Sequence, residues 1–238
     1  MPLVLLFYKF VLSGILKGGE DTMNSKTLSS WMLIVAPVLF ALMLFLVFPA
    51  VIGDGKNAGE DVTNLRDNRT AASILLMIGA IIFASMSIGY TLLAWARADG
   101  STTSGTLASI AAMIFVGITT IVFIMMGSQY PIIGTDAEKM IGERLVEAEW
   151  IMVIGDSMAP SIFLAWALGN VVLGAALIIE NKIHRIASWL LLGAGILLVI
   201  MHLLAGIDDK PGIMFMVPFL LTPISAIVLG IFNLKSES

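Results

Sequence analysis

The side chains suited to chemistry in this sequence are few and fall into two groups. Asp156, His202, Asp208 and Asp209, with Glu147 and Glu149, are carboxylates and an imidazole. Such groups bind a divalent metal or relay protons when they converge. Asp156 has a structural reading as well. Gly155-Asp156-Ser157 precedes an apolar run, where Asp156 or Ser157 can cap a helix and Pro160 suits its first turn. Asn170, Trp166 and Thr222 form the second group, each set inside a long apolar run. A membrane-embedded amide or hydroxyl bonds across to a neighbouring helix or lines a cavity. Trp166 packs between helices or forms a cavity wall.

Other chemistry is excluded by the groups it would need. The sequence has no HExxH, no GxSxG, no Walker motif and no GxGxxG. It lacks the EExxxR-like pair of an intramembrane protease. With no cysteine there is no thiolate nucleophile, no Cys-ligated metal and no disulfide framework. Two histidines, one of them (His184) in a connecting turn, argue against bis-His haem. No late apolar run holds the lysine that retinal requires. The expectation is no cofactor.

The elements that position these residues follow from composition. Of 238 residues, 58% are apolar and 13% charged, against about 25% charge in soluble domains. A soluble fold cannot bury that much apolar surface, so the chain is read as an integral membrane protein in contact with the lipid bilayer. A net charge of −4, without a basic stripe, argues against nucleic acid as a partner.

Six runs are long and apolar enough to span: Trp31–Gly53, Ala72–Ala96, Thr106–Gly127, Ser157–Ile179, Ile186–Gly206 and Gly212–Leu234. They are apolar on all faces and do not alternate as barrel strands do. The fold class is therefore all-α: a polytopic transmembrane helical bundle of six spans. The apolar stretch Pro2–Gly18 is a possible seventh element. The absence of charge within the spans argues against a proton pump or voltage sensor.

With the segment before Trp31 inside, the inner side holds 7 of 13 Lys and Arg, and the outer side holds 12 of 17 Asp and Glu. Trp31, Trp95 and Trp189 then fall at inner ends and Trp150 near an outer end, as interfacial indoles do. These patterns predict a plasma-membrane protein with both termini cytoplasmic. In the first residues, Lys17-Gly18-Gly19-Glu20 can be encoded by a purine-rich ribosome-binding sequence ahead of Met23. Residues 1–22 are accordingly read as an extension outside the 23–238 transmembrane domain, with translation expected to start at Met23.

In the outer connections, Asn68-Arg69-Thr70 fits the N-glycosylation pattern. Ile141, Leu145, Ala148 and Met152 recur at helical spacing. This predicts an amphipathic surface helix from about Asp136 to Ile154, acting as an acidic cap or as a lid over a cavity. The prolines of the last run, Pro218 and Pro223, predict a kink.

From Leu168-Gly169 through Ile200 a glycine-bearing span, a short basic turn, a Trp and a Leu-rich span with paired glycines follow one another. This layout, with the closing Pro-Phe-Leu-Leu-Thr-Pro run, resembles uncharacterised small multi-span membrane proteins of prokaryotes grouped as a domain of unknown function. This chain has Arg185-Ile186-Ala187-Ser188-Trp189 where such proteins often carry Pro-Arg before the Trp. The resemblance implies a helical bundle and assigns no activity and no site residue.

Three function classes follow. The leading one is a non-enzymatic membrane component, structural, stress-related or associated with a membrane-protein partner or a second copy of itself. The alternative is a small-solute or lipid transporter with a neutral cavity near Asn170. The third is a membrane enzyme using outer-face carboxylates and His202.

Overall fold

A computed structural model describes residues 24–136, 139–205 and 212–236. Residues 1–22, Asp208 and Asp209 lie outside this set. Among the described residues the chain is helical, without strands. The long helices are α1 (Ser25–Val51), α3 (Arg69–Trp95), α4 (Thr103–Ser128), α6 (Glu143–Glu180), α7 (Arg185–Ala205) and α8 (Gly212–Lys235). Two short ones, α2 (Ala58–Asp67) and α5 (Tyr130–Gly134), lie in the connections. The first five long helices are long and apolar enough to cross a membrane, and α8 is apolar over Phe219–Lys235. The molecule is a helical membrane bundle, as composition requires.

The long helices form a closed ring. Each packs against the next in chain order, α1 on α3, α3 on α4, α4 on α6, α6 on α7 and α7 on α8, and α8 returns to pack against α1. Small residues let the backbones approach at these seams, as is usual where lipid gives no hydrophobic drive between helices. A Cβ on Gly195 of α7 would lie 2.8 Å from the Ala167 carbonyl of α6, and one on Gly174 of α6 would lie 2.8 Å from the Leu192 nitrogen of α7. A Cβ on Gly169 would meet the Phe115 ring of α4 at 2.8 Å. Of the small residues picked out by sequence, Gly193 has no such neighbour within 4 Å.

Two helices depart from expectation. α6 runs unbroken for 38 residues through Gly155, Asp156 and Pro160. At 1.5 Å per residue it is about 57 Å long, nearly twice the hydrocarbon thickness. The expected surface helix is therefore the first part of α6 and no cap forms at Asp156. One Gly costs a helix only about 1 kcal/mol, which packing overrides. That packing is a second core, where Ala148 and Met152 of α6 meet Val62 and Leu65 of α2 and Ile132 of α5. Of the expected apolar stripe, Ala148 and Met152 are buried, Leu145 partly so, and Ile141 is exposed.

In α1, Met43–Val47 forms a turn of π-helix. Pro49 follows two residues later and has no N–H to give the Phe45 carbonyl, so the ladder shifts register there. α8 is continuous through residues 218 and 223. α2 was not anticipated. Its Asn57 Oδ1 accepts the Glu60 backbone N–H at 3.0 Å, and Glu60 Oε2 accepts from the Lys56 backbone N–H. Replacing Asn57 with Ala should cost α2 about 1 kcal/mol. Faster amide hydrogen exchange over residues 60–63 checks this.

Candidate functional site

Successive ring helices alternate in direction, which gathers charges of opposite balance at the two ends. The start of α1 and the ends of α3, α6 and α8 meet at one end, with Lys26, Arg97, Lys182 and Asn233 in contact there. The α2 helix, α5 and the start of α6 form the other end, which is rich in acids.

In the acidic half the ring holds a half-open cavity of about 690 Å³. Five helices supply its walls: Phe40 and Phe45 from α1, Phe83 from α3, Val122 and Met126 from α4, Phe163 from α6 and Phe219 from α8. The π-turn of α1 borders it through Leu44 and Phe45. The lining is almost wholly apolar, and Asp54 is its one charged residue among those described.

Its wall is an interlocked aromatic set. Phe163 meets Phe219 edge-on at 4.9 Å, and Phe219 meets Phe45 at 6.0 Å. Trp166 lies behind Phe40, Phe83 and Phe163, with ring centroids 6.4, 5.8 and 6.4 Å away. Edge-to-face pairs such as these, and the stacked Phe163–Trp166 pair, contribute about 0.5–1.5 kcal/mol each beyond area burial.

Toward the basic end the axis is filled. Tyr90 stacks on Phe115 at 4.5 Å. The Tyr90 hydroxyl is buried near Trp166 and Ser225 without a hydrogen bond of standard geometry. Asn170 and Thr222 are both fully buried. Neither Oδ1 nor Nδ2 of Asn170 has a hydrogen-bond partner among the described residues. Among the described residues, the interhelical bond that the sequence suggests for this amide is not seen. Trp166, Asn170 and Thr222 do not themselves line the large cavity; Trp166 backs its wall.

The basic end is closed by a polar latch that sequence reasoning did not identify. Arg97, just past α3, lies 3.1 Å from Glu180 at the end of α6. It also donates to Asn233 Oδ1 of α8 at 2.9 Å and to the Leu93 carbonyl at 2.9 Å. Asn233 in turn donates to Ser30 Oγ of α1 at 2.7 Å, and Lys26 of α1 donates to the Ser236 carbonyl. One guanidinium thus ties three alternate members of the ring. Burial pulls Arg97 below its ordinary value, and the charge of Glu180 offsets this in part.

The carboxylate and imidazole candidates do not form a site among the described residues. Asp156 faces another acid, Asp61. The His202 Nδ1 lies 2.9 Å from the Leu198 carbonyl of its own helix. Among the described residues no three His, Asp or Glu side chains are placed to hold a metal. Asp136, exposed at the acidic end, is held below the usual carboxylate range, mainly by its hydrogen bond from Lys139 and less by Arg69. The Asn68 side-chain nitrogen, where a glycan would attach, donates to the Ile52 and Asn64 carbonyls at 3.3 and 3.1 Å. No protein-family model matches this chain, and comparisons with curated proteins and with solved structures return no match.

Proposed function

We propose that this protein is a non-enzymatic carrier or transporter for an apolar, lipid-sized solute, taken into the ring from its acidic end. The observation that carries this reading is the aromatic-walled cavity of about 690 Å³ bounded by five helices. Its size lies within the range of about 300–1,000 Å³ typical of small-molecule sites. The wall chemistry favours an apolar body with at most one donor or cationic group, to meet Asp54. The π-turn in the wall supports the reading, because such turns recur at functional sites. The latch of Arg97, Glu180 and Asn233 would be the closed side of such a pathway. In this proposal the protein sits in the cell membrane with the acidic end outside and both chain ends cytoplasmic, in keeping with the inner Lys and Arg and with Trp31, Trp95 and Trp189.

A single-tryptophan protein tests the proposal. Trp31, Trp95, Trp150 and Trp189 are replaced by Phe, leaving the buried Trp166 as reporter behind the cavity wall. A brominated alkyl amine should quench its emission saturably. Ala159→Phe, which fills the cavity, should weaken that quenching about ten-fold, a cost of about 1.4 kcal/mol. Equal quenching with and without the filling residue would refute the proposal.

A further inference from the structure

The turn between α6 and α7 covers a second pocket, separate from the large cavity. α6 ends at Glu180 because Asn181 takes the left-handed conformation, with φ 58° and ψ 26°. The chain then crosses to α7, which starts at Arg185. Beneath the turn is a pocket of about 390 Å³, with a mainly apolar lining that carries three polar side chains. Ile178 and Trp189 supply apolar wall; Asn181, Arg185 and Ser188 supply polar groups.

Ser188 is the most informative of these. Several other buried or half-buried helical serines of this protein return their hydroxyl to a carbonyl three or four residues back, as Ser225 does to Thr222 at 2.7 Å. Ser30 does so to Lys26 at 2.7 Å and Ser109 to Gly105 at 2.9 Å. Ser188 is 1% exposed, yet its Oγ has no hydrogen-bond partner among the described residues. A buried unmade hydrogen bond costs about 1–3 kcal/mol, so a hydroxyl lining a pocket in this state is suited to a polar ligand. Arg185 stands beside it. Its Nε donates to Asn181 Oδ1 at 3.2 Å, which orients the guanidinium. That bond uses one of five N–H groups. The first turn of α7 adds the positive end of a helix dipole. Trp189 is 58% exposed, and Trp31 and Trp95 are exposed at the same end of the bundle. The pocket therefore sits at the depth where indoles meet lipid headgroups.

We propose that this pocket binds an anionic glycerophospholipid by its phosphate. The phosphate oxygens accept from the free N–H groups of Arg185 and from the Ser188 hydroxyl. The acyl chains leave along Ile178 and Trp189 into the bilayer. Basic pockets between membrane helices take phosphate headgroups in this way.

Delipidated full-length protein in mild detergent, titrated by native mass spectrometry, tests this site. Phosphatidylglycerol should bind. Diacylglycerol with the same chains, and inorganic phosphate alone, should each bind at least about ten-fold more weakly, the size of one charge-assisted hydrogen bond. Arg185→Gln should weaken the lipid about ten-fold, Arg185→Lys should restore part of it, and Ser188→Ala should weaken it about three-fold or more. Lys235→Gln, at the same end but away from the pocket, should leave binding unchanged. Ser188→Ala removes only a hydroxyl without a partner among the described residues, so its fold should hold even if Arg185 variants misfold. Inorganic phosphate binding as tightly as the lipid would overturn the lipid as occupant. Unaltered lipid binding by Ser188→Ala and Arg185→Gln would overturn the site.

Discussion

Replacing Arg97 with Met is expected to lower the unfolding free energy by about 3 kcal/mol. The side chains of Arg97 and Glu180 are only 15% and 14% exposed. Removing one partner of such a pair leaves the other desolvated and uncompensated, which costs about 3–5 kcal/mol when burial is complete. The residual exposure, and the second cation Lys182 at 3.2 Å from Glu180, place the expectation at the low end. The loss extends beyond the ion pair, because Asn233 also loses a donor from Arg97. A double-mutant cycle with Glu180→Gln isolates the pair. The double variant should be more stable than the sum of the single losses implies by about 1 kcal/mol or more. Reversible unfolding in detergent or bicelles provides the measurement, and additive losses would mean that the two side chains do not act together.

The second large effect is expected at a seam without charge. A Cβ on Gly230 of α8 would lie 2.7 Å from the Ser30 carbonyl and 2.9 Å from Ile34 of α1. The nearest atom is backbone, which cannot turn aside as a side chain can. Gly230→Leu should therefore push α8 off α1 and cost about 3 kcal/mol, since overpacking outweighs the gain in helix propensity of about 0.8–1 kcal/mol. Gly117 of α4 is the matched control, because a Cβ there meets nothing within 4 Å. Gly117→Leu keeps the propensity gain without the clash and should be neutral or stabilising. Equal melting shifts for the two variants would show that the α1–α8 seam is not tightly packed.

The sequence made the spans legible because lipid imposes one demand on every exposed face, and that demand is visible residue by residue. The observed α3, α4 and α7 differ from the expected runs by only a few residues at each end. The sides to which charges were assigned also anticipated a real gathering, since Lys26, Arg97, Glu180 and Lys182 do meet at one end. Their pairing was not legible. It depends on α3 and α6 ending at the same depth across a ring, which no local pattern encodes. α2 could have been found, because Asn57-Ala58-Gly59-Glu60 has the spacing of a capping box and Val62 and Leu65 share a face. Gly155-Asp156-Ser157 misled in the opposite direction: good capping residues do not stop a helix that packs into buried cores before them, at Ala148 and Met152, and after them, at Ile162 and Trp166. The cavity was out of reach because its walls come from residues between Phe40 and Phe219, and a void is defined by side chains that fail to meet. Asn170 was correctly seen as buried, but whether a buried amide finds a partner is decided by neighbours three-dimensionally, not by its own position.

The seam between α1 and α8 also sets an order of assembly. Its hydrogen bonds join residues more than two hundred positions apart, as in Asn233 to Ser30 and Lys26 to Ser236. A ribosome delivers α8 after every other member of the ring, so the nascent bundle is an open arc, with Ser29 and Ser30 facing an empty berth until α8 is inserted. The aromatic chamber gains its Phe219 wall at that same moment. Loop-closure entropy makes such a distant contact the slowest to form. Until it forms, the polar seam of α1 stands without the Asn233 contact that covers Ser30 in the finished ring.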